Sequence, residues 1–363
     1  MSSFDVKAYR LTIQKHPDPE VERIELAAIG GYVSVVPRGL YQDGDLAVYI
    51  PEQAIVPMEI LQTMGLIKEK KDKQTGEMIE VGGLAGPEGT RVKAARFRGT
   101  LSQGLVYNPK DIELVEGEDY AEALGIVKWV PPIPSSLAGD VDPHPALRTY
   151  TDIENIKKFM EVFEEGEEVV ATEKLHGSCS IASYIDGEFL VSSKGLAGKG
   201  LAIRRDETAD GRTKNTYWRM MEKIEAARIC AEIASERGAS EVSIFGETFG
   251  SGIQDLTYGL VNGDLNIRLF DIRVDGNYID YADFVAITER YGLPTVPVLY
   301  EGPYDYAKLS ELSEGKSTIA EHVREGVVVR PVCERQNPET GRTILKFVGA
   351  GYLTRKGDVT EYE

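Results

Sequence analysis

Short apolar runs broken by turn residues dominate the first third of the chain. Ile29-Gly30-Gly31-Tyr32-Val33-Ser34-Val35-Val36 and Leu46-Ala47-Val48-Tyr49-Ile50 have the length of strands, and Gly, Pro and Asp punctuate them, as in Asp43-Gly44-Asp45. Such spacing predicts a small β-barrel over residues 1–130. The charged stretch Lys68 to Lys73 runs through Gln74-Thr75-Gly76 into Gly-rich sequence and predicts an exposed loop. Prolines then cluster in Val130-Pro131-Pro132-Ile133-Pro134 and Asp142-Pro143-His144-Pro145, which stiffens the chain and disfavours helix. Residues 131–150 therefore read as a Pro-rich linker before a second domain over 151–363.

The second domain opens with an expected helix around Asn155 to Phe163. Val169-Val170-Ala171-Thr172-Glu173-Lys174 reads as a strand. Ser180–Ile185 and Glu188–Ser193 flank Asp186-Gly187 and predict a hairpin with a two-residue turn. From Tyr217 to Arg237 the apolar residues Met220, Met221, Ile224, Ala227, Cys230, Ala231 and Ala234 fall near helical spacing, and Gly238 supplies a stop. No internal repeat of fixed period is present. Strands mixed with helices place the chain in the α+β class.

Charge narrows the partners. The 363 residues carry 41 Lys+Arg against 59 Asp+Glu, a net −18. Residues 1–150 hold 16 basic and 22 acidic residues, leaving 25 and 37 for the rest, so both halves are acidic. Binding of nucleic acid or membrane through overall charge is thereby disfavoured, and a polyanion must meet a local basic surface. Cys179, Cys230 and Cys333 are far apart and form no CxxC pair, which signals neither a disulfide framework nor a zinc ribbon. No N-terminal signal pattern and no run of about 18 apolar residues occurs. The expectation is a cytoplasmic protein with no membrane association and no required protein partner.

Lys174-Leu175-His176-Gly177 has the form KxxG. The pattern alone is weak, because Lys73-Gln74-Thr75-Gly76 and Lys346-Phe347-Val348-Gly349 share it. What distinguishes Lys174 is an ordered series downstream: Ser192-Ser193-Lys194-Gly195, Ile244-Phe245-Gly246-Glu247, Leu269-Phe270-Asp271-Ile272, Glu325-Gly326-Val327-Val328-Val329-Arg330 and Ile344-Leu345-Lys346-Phe347.

This series resembles the covalent nucleotidyltransferase superfamily of polynucleotide ligases and capping enzymes, with motifs I, Ia, III, IIIa, IV and V in order. Many members have Asp where this chain has His176, and an RNA-ligase branch carries His. Gly44–Pro51 and Arg98–Gly104 are similar to an OB-type module that precedes the catalytic domain in one group of RNA-sealing enzymes. Only Gly349–Glu363 follow the last motif, too few for a barrel, and that order favours an RNA ligase over a DNA ligase. The resemblance implies an N-terminal OB-type β-barrel followed by a nucleotidyltransferase (ATP-grasp-like ligase) domain of antiparallel sheets and helices. It further implies ATP as the source of a covalent AMP, Mg²⁺ or Mn²⁺, and an RNA or RNA-containing nicked duplex as partner.

In that reading Lys174 is the nucleophile. A free lysine has a pKa near 10.4, so about one in 2,500 is neutral at pH 7. Burial and nearby positive charge both favour the neutral amine, which predicts Lys346 close to Lys174. The resemblance assigns Lys346 to catalysis and nucleotide binding, and Glu173, Gly177, Lys194, Glu247 and Phe270 to the nucleotide. Glu325 and Glu247 become metal ligands, since Mg²⁺ takes one or two carboxylates and keeps waters. Lys194 stands where the family often has Arg, and Ile344 replaces the first of two lysines usual in motif V. Strand alternation turns the Glu173 side chain away from that of Lys174. No role in the chemistry follows for His176, which reads as a hydrogen-bonded turn residue, and Cys179 reads as a small core residue.

The densest basic run of the first domain is Arg91-Val92-Lys93-Ala94-Ala95-Arg96-Phe97-Arg98. On a regular strand Arg91 and Lys93 would share one face and Arg96 and Arg98 the other. Arg204 and Arg205, with Arg212 and Lys214, form a second basic group. These are the candidate RNA contacts. Two other readings stand beside the ATP-dependent RNA ligase: a GTP-using capping guanylyltransferase, and a non-catalytic OB nucleic-acid-binding protein.

Overall fold

Ile24–Ile29 and Tyr32–Pro37 form an antiparallel hairpin across Gly30-Gly31, and Thr12–Lys15 pairs with its outer edge. This arrangement is seen in a computed structural model that describes residues 4–71, 77–130, 140–206, 208, 211 and 213–355. Two compact units divide the chain, residues 2–131 and 132–363.

In the first unit Leu46–Ile50 is the centre of a second sheet, flanked antiparallel by Ala8–Arg10 and Leu105–Tyr107. Alternation along these strands feeds two cores, one around Val48, Ile50 and Leu61, the other around Ala27, Val36 and Tyr49. The run Ser102-Gln103-Gly104 has structural work here. Ser102 Oγ accepts from Val35 N–H at 2.9 Å, and Ser34 Oγ donates to the Gln103 carbonyl at 2.6 Å. Gly104 sits at φ 69° with a Cβ position only 2.4 Å from the Tyr49 ring, so a side chain there is excluded twice over.

The charged stretch expected as a loop begins as a strand. Ile67–Lys71 pairs with Met78–Gly82, and Ile67 packs at its base against the Leu61 core. Residues 72–76, with the second KxxG, lie outside the described residues, as do the prolines 131–134 and Arg212. Residues 141–150, expected to be linker, pack into the second unit: Val141–Pro143 pairs with Leu201–Ile203, and Leu147 and Tyr150 are core.

The second unit contains two five-stranded sheets. One has the order Glu154–Asn155, Leu345–Val348, Gly326–Pro331, Glu168–Lys174, Val298–Pro303, antiparallel except for its first pair. The other is antiparallel throughout, in the order Glu188–Ser193, Ser178–Ile185, Glu241–Gly250, Leu265–Val274, Asn277–Tyr278. The expected hairpin is present, with Asp186 at φ 48° and Gly187 at φ 92° closing the two-residue turn that matches the strand twist.

Two helix expectations are corrected. No helix runs over 155–163. The Asn155 side chain accepts from Lys157 N–H at 3.0 Å, a local bond that competes with helix, and the turns that follow bury Ile156, Val162 and Phe163. The 217–237 stretch is two helices, Thr216–Lys223 and Ala226–Arg237, broken at Glu225 with φ 54°. The break lets Met220 and Met221 on one and Ile229, Cys230 and Ile233 on the other reach the same core. Gly238 ends the second in the left-handed conformation.

Candidate active site

Lys174 ends the strand Glu168–Lys174, and its register fixes its neighbours. Lys174 lies opposite Gly326, while Thr172 lies opposite Val328 and Val328 opposite Lys346. Directly opposed residues share a face and alternate residues return to it, so Lys174, Thr172, Val328 and Lys346 project from one side of the sheet. Both lysines are buried, at 7% and 6% exposure. Lys174 Nζ is 2.9 Å from Glu325 Oε1. Lys346 has no carboxylate partner among the described residues.

Glu173 sits on the other face, opposite Val327, where Oε2 accepts from Thr318 N–H at 2.8 Å and from its hydroxyl at 2.6 Å. Its Oε1 is buried without a partner. Burial alone would push the Glu325 carboxyl up, but the Lys174 ammonium and His176 beside it hold it below the usual carboxylate range. An ammonium–carboxylate contact favours the charged amine, so attack on phosphorus requires Glu325 to release it.

The second sheet supplies the opposite wall. Cys179 is paired with Glu247, and Glu247 with Arg268, which brings Cys179 and Glu247 to the same face. Between Phe245 and Gly246 the register with Leu265–Val274 shifts, leaving Phe270 as the extra residue of a bulge. Bulges re-aim side chains near sites, and Phe270 is turned to the cavity with its ring edge-on to Tyr150 at 5.0 Å. Lys194 is held by Asp152 at 3.1 Å and by the Thr151 carbonyl at 3.2 Å. The cavity has a volume of about 400 Å³, and Glu173, Lys174, Lys194, Glu247 and Phe270 line it. Gly177, Glu325 and Lys346 are outside its lining. Gly177 has a packing reason: a Cβ there would lie 2.3 Å from the Thr248 carbonyl oxygen.

His176 is the hub of a network that no local sequence pattern announces. Its Nε2 is 2.7 Å from Asp255 Oδ1, its Nδ1 is 2.9 Å from Tyr352 Oη and 3.6 Å from Glu325 Oε2, and its backbone N–H donates to Tyr258 Oη at 2.6 Å. Gln254 Nε2 donates to the Gly177 carbonyl at 3.2 Å. Arg355 Nη2 reaches both oxygens of Asp255, at 2.9 and 3.1 Å.

The candidate RNA contacts do not lie on one regular strand. In the first unit Arg91 is half-buried with its guanidinium 4.0 Å over the Trp129 ring, and Lys93 is half-buried in irregular chain. Ala95–Phe97 and Thr100–Ser102 form a hairpin whose turn, Arg98-Gly99, has φ 49° and 87°. This leaves Arg96, Phe97 and Arg98 exposed together at its tip. In the second unit Arg204 forms a fork with Asp142, and Arg205 pairs with Glu222 at 2.7 Å, so acids already engage both.

Comparison with known proteins agrees with this architecture. No curated protein sequence matches the chain. An OB-fold domain model matches residues 10–109. Among solved structures, a Naegleria gruberi RNA ligase mutant with ATP and Mn is 22% identical with a TM-score of 0.74, covering 97% of this chain and 98% of that one. The Naegleria gruberi RNA ligase with PPi is 22% identical with a TM-score of 0.73 and the same coverage. A further mutant with AMP and Mn is 22% identical, TM-score 0.73, covering 96% and 97%. At that identity the likeness is one of fold. The RNA ligase family model matches residues 167–348, half of the chain and the whole span from the Lys174 strand to the Lys346 strand, so the chain belongs to the RNA ligase family.

Proposed function

We propose that the protein is an ATP-dependent RNA ligase that joins 5′-phosphate and 3′-hydroxyl ends, at nicks with an RNA 3′ end, through a lysyl-AMP formed on Lys174. The observation that carries this is the burial of the Lys174 amine at the cavity wall, on the same face as Lys346, within a family that seals RNA. Lys174 Nζ attacks the α-phosphorus of ATP and pyrophosphate leaves. The AMP passes to the RNA 5′-phosphate, and the 3′-hydroxyl then attacks that activated phosphate with AMP as leaving group. The Naegleria gruberi structures with ATP, AMP and PPi support ATP as the nucleotide.

Phe270 packs against the base, Lys194 and Lys346 meet phosphate charge, and Glu247 faces the ribose. Gly177 lets the Lys174 turn approach the opposite sheet, and Glu173 braces it through Thr318. Among the described residues no three metal-ligating side chains cluster, and an Mg²⁺ or Mn²⁺ ion takes one or two carboxylates and completes its shell with phosphate and water. Glu325 and Glu247 would hold such an Mg²⁺ or Mn²⁺, which neutralises phosphate charge. Arg91, Lys93, Arg96 and Arg98 of an OB-type module over 1–130 contact RNA, with Arg204 and Arg205 contributing from the adenylyltransferase domain once their acids yield. No helix among the described residues is long and apolar enough to cross a membrane.

The test incubates wild type and Lys174→Ala with α-labelled ATP or GTP and Mg²⁺, then resolves the protein by denaturing electrophoresis. Label from ATP on wild type and none on the variant is expected. Label from GTP alone would replace this reading with a capping guanylyltransferase, and label surviving on Lys174→Ala would reject the nucleophile.

A further inference from the structure

We infer that Asp255 and Arg355 are positioning residues for nucleotide transfer, acting through His176 on Glu325 and Lys174. The inference rests on the reading of Lys174 as nucleophile. His176 is 3% exposed, two residues beyond Lys174, and both its ring nitrogens are engaged. The carboxylate at Nε2 places a ring hydrogen there and Tyr352 Oη meets Nδ1 on the other side, so the ring cannot turn over without losing both contacts.

Nδ1 also faces Glu325 Oε2 at 3.6 Å, while Glu325 Oε1 contacts Lys174 Nζ at 2.9 Å. The imidazole edge is thus the stop against which the carboxylate touching the nucleophile rests. Asp255 belongs to the connection between Gly250 and Leu265 and is one-third exposed. Arg355 fixes it with Nη2 on both oxygens, and its guanidinium lies 3.8 Å over the Tyr352 ring. Arg355, Tyr352 and Asp255 therefore hold one imidazole from two separate stretches of chain. An error of about 1 Å at a nucleophile can cost on the order of 10²-fold in rate. If the Asp255–Arg355 pair only fastened the short helix Ala350–Leu353, its loss would change stability slightly, as solvent-accessible pairs do, and would not depend on His176.

Single-turnover label transfer from α-labelled ATP with Mg²⁺, on the full chain, tests this. Asp255→Ala is expected to slow transfer at saturating ATP by roughly tenfold to a hundredfold, up to the cost of misplacing a reacting group by about 1 Å. The KM for ATP should stay within about twofold. Asp255→Asn, which still accepts from Nε2–H, should recover part of the rate. His176→Ala combined with Asp255→Ala should be no slower than His176→Ala alone, since residues acting through a shared partner do not add. Asp255→Ala within about twofold of wild type, or a double variant as slow as the product of the singles, overturns the inference. Should Asp255→Ala fail to fold, Arg355→Ala in the same cycle with His176→Ala decides by the same criteria. Wild type that takes no label sinks the reading of Lys174 and this inference with it, whereas labelled wild type with an unaffected Asp255→Ala sinks the inference alone.

Discussion

Lys346 and Lys174 project from the same face of one sheet, two strands apart, with Val328 opposite Lys346 and Thr172 opposite Val328. Lys174 has a carboxylate and Lys346 has none among the described residues, although both are buried. Burying an unpaired ammonium is unfavourable, so Lys346 is kept at a cost to the fold. Lys346→Met should therefore leave the thermal midpoint unchanged or raise it, while slowing label transfer from ATP by on the order of a hundredfold, the size of losing one preorganised charge contact to a reacting phosphate. A melting curve and a single-turnover assay on one preparation check both halves. A variant that melts well below wild type would assign Lys346 to structure.

Asp271 follows Phe270 in the bulged strand but has a different task. It is fully buried, accepts from Arg330 Nη1 at 2.9 Å and Arg342 Nη1 at 2.5 Å, and receives the Tyr150 hydroxyl at 2.9 Å. Burial alone would push its carboxyl up, but Arg342 and Arg330 outweigh that and hold it below the usual 3.8. A depressed carboxyl contributes stability that is complete above the unfolded value and lost as pH falls through the folded one, so this contribution fades below about pH 3.8. Asp271→Asn leaves two buried guanidinium groups short of counter-charge, and breaking a buried pair costs about 3–5 kcal/mol. The urea midpoint at pH 7 should drop accordingly, and the acid-induced fall should be shallower in Asp271→Asn than in wild type.

How much of this was legible in the sequence depends on the range of the interaction. The Val169–Lys174 strand and the Asp186-Gly187 hairpin follow from two-residue periodicity and a turn that needs positive φ, both local. The motif order located one residue of the bulge, Phe270, but periodicity cannot show a register shift. Asn155 defeated the helix reading because its side chain bonds to Lys157 N–H. Alternation on a regular strand would split Arg91 and Lys93 from Arg96 and Arg98, but only the fold shows that Arg98-Gly99 turns the chain and that Arg91 stacks on Trp129. Asp255 and Arg355 were invisible because their meaning arises only where residues 176, 255 and 355 converge.

Phe270 is one of the aromatic side chains that line the cavity, with Tyr150, Tyr281 and Phe284. Stacking on an aromatic is worth about 1–3 kcal/mol by alanine substitution, and each 1.4 kcal/mol is tenfold in affinity. Phe270→Ala should raise the KM for ATP between about fivefold and a hundredfold. Phe270→Tyr, which keeps the ring, should stay near wild type. Equal KM values for all three would mean that Phe270 serves only the core it shares with Tyr150 and Phe245.

Arg96, Phe97 and Arg98 occupy one exposed hairpin tip, an aromatic between two cations on a chain whose net charge is −18. An acidic protein can approach RNA only where positive charge is concentrated, and each phosphate neutralised adds close to one unit to the slope of log K against log salt. The double variant Arg96→Ala/Arg98→Ala should lower that slope by about 1 to 2 in a titration of a nicked RNA duplex, with the largest loss of affinity at low salt. Phe97→Ala acts on the other component. It removes a stacking surface and not a charge, so affinity should fall by about 1–3 kcal/mol with the salt slope intact. Opposite signatures from neighbouring residues would identify the tip as an RNA contact, whereas unchanged slope and affinity in all three variants would remove the hairpin from the RNA path.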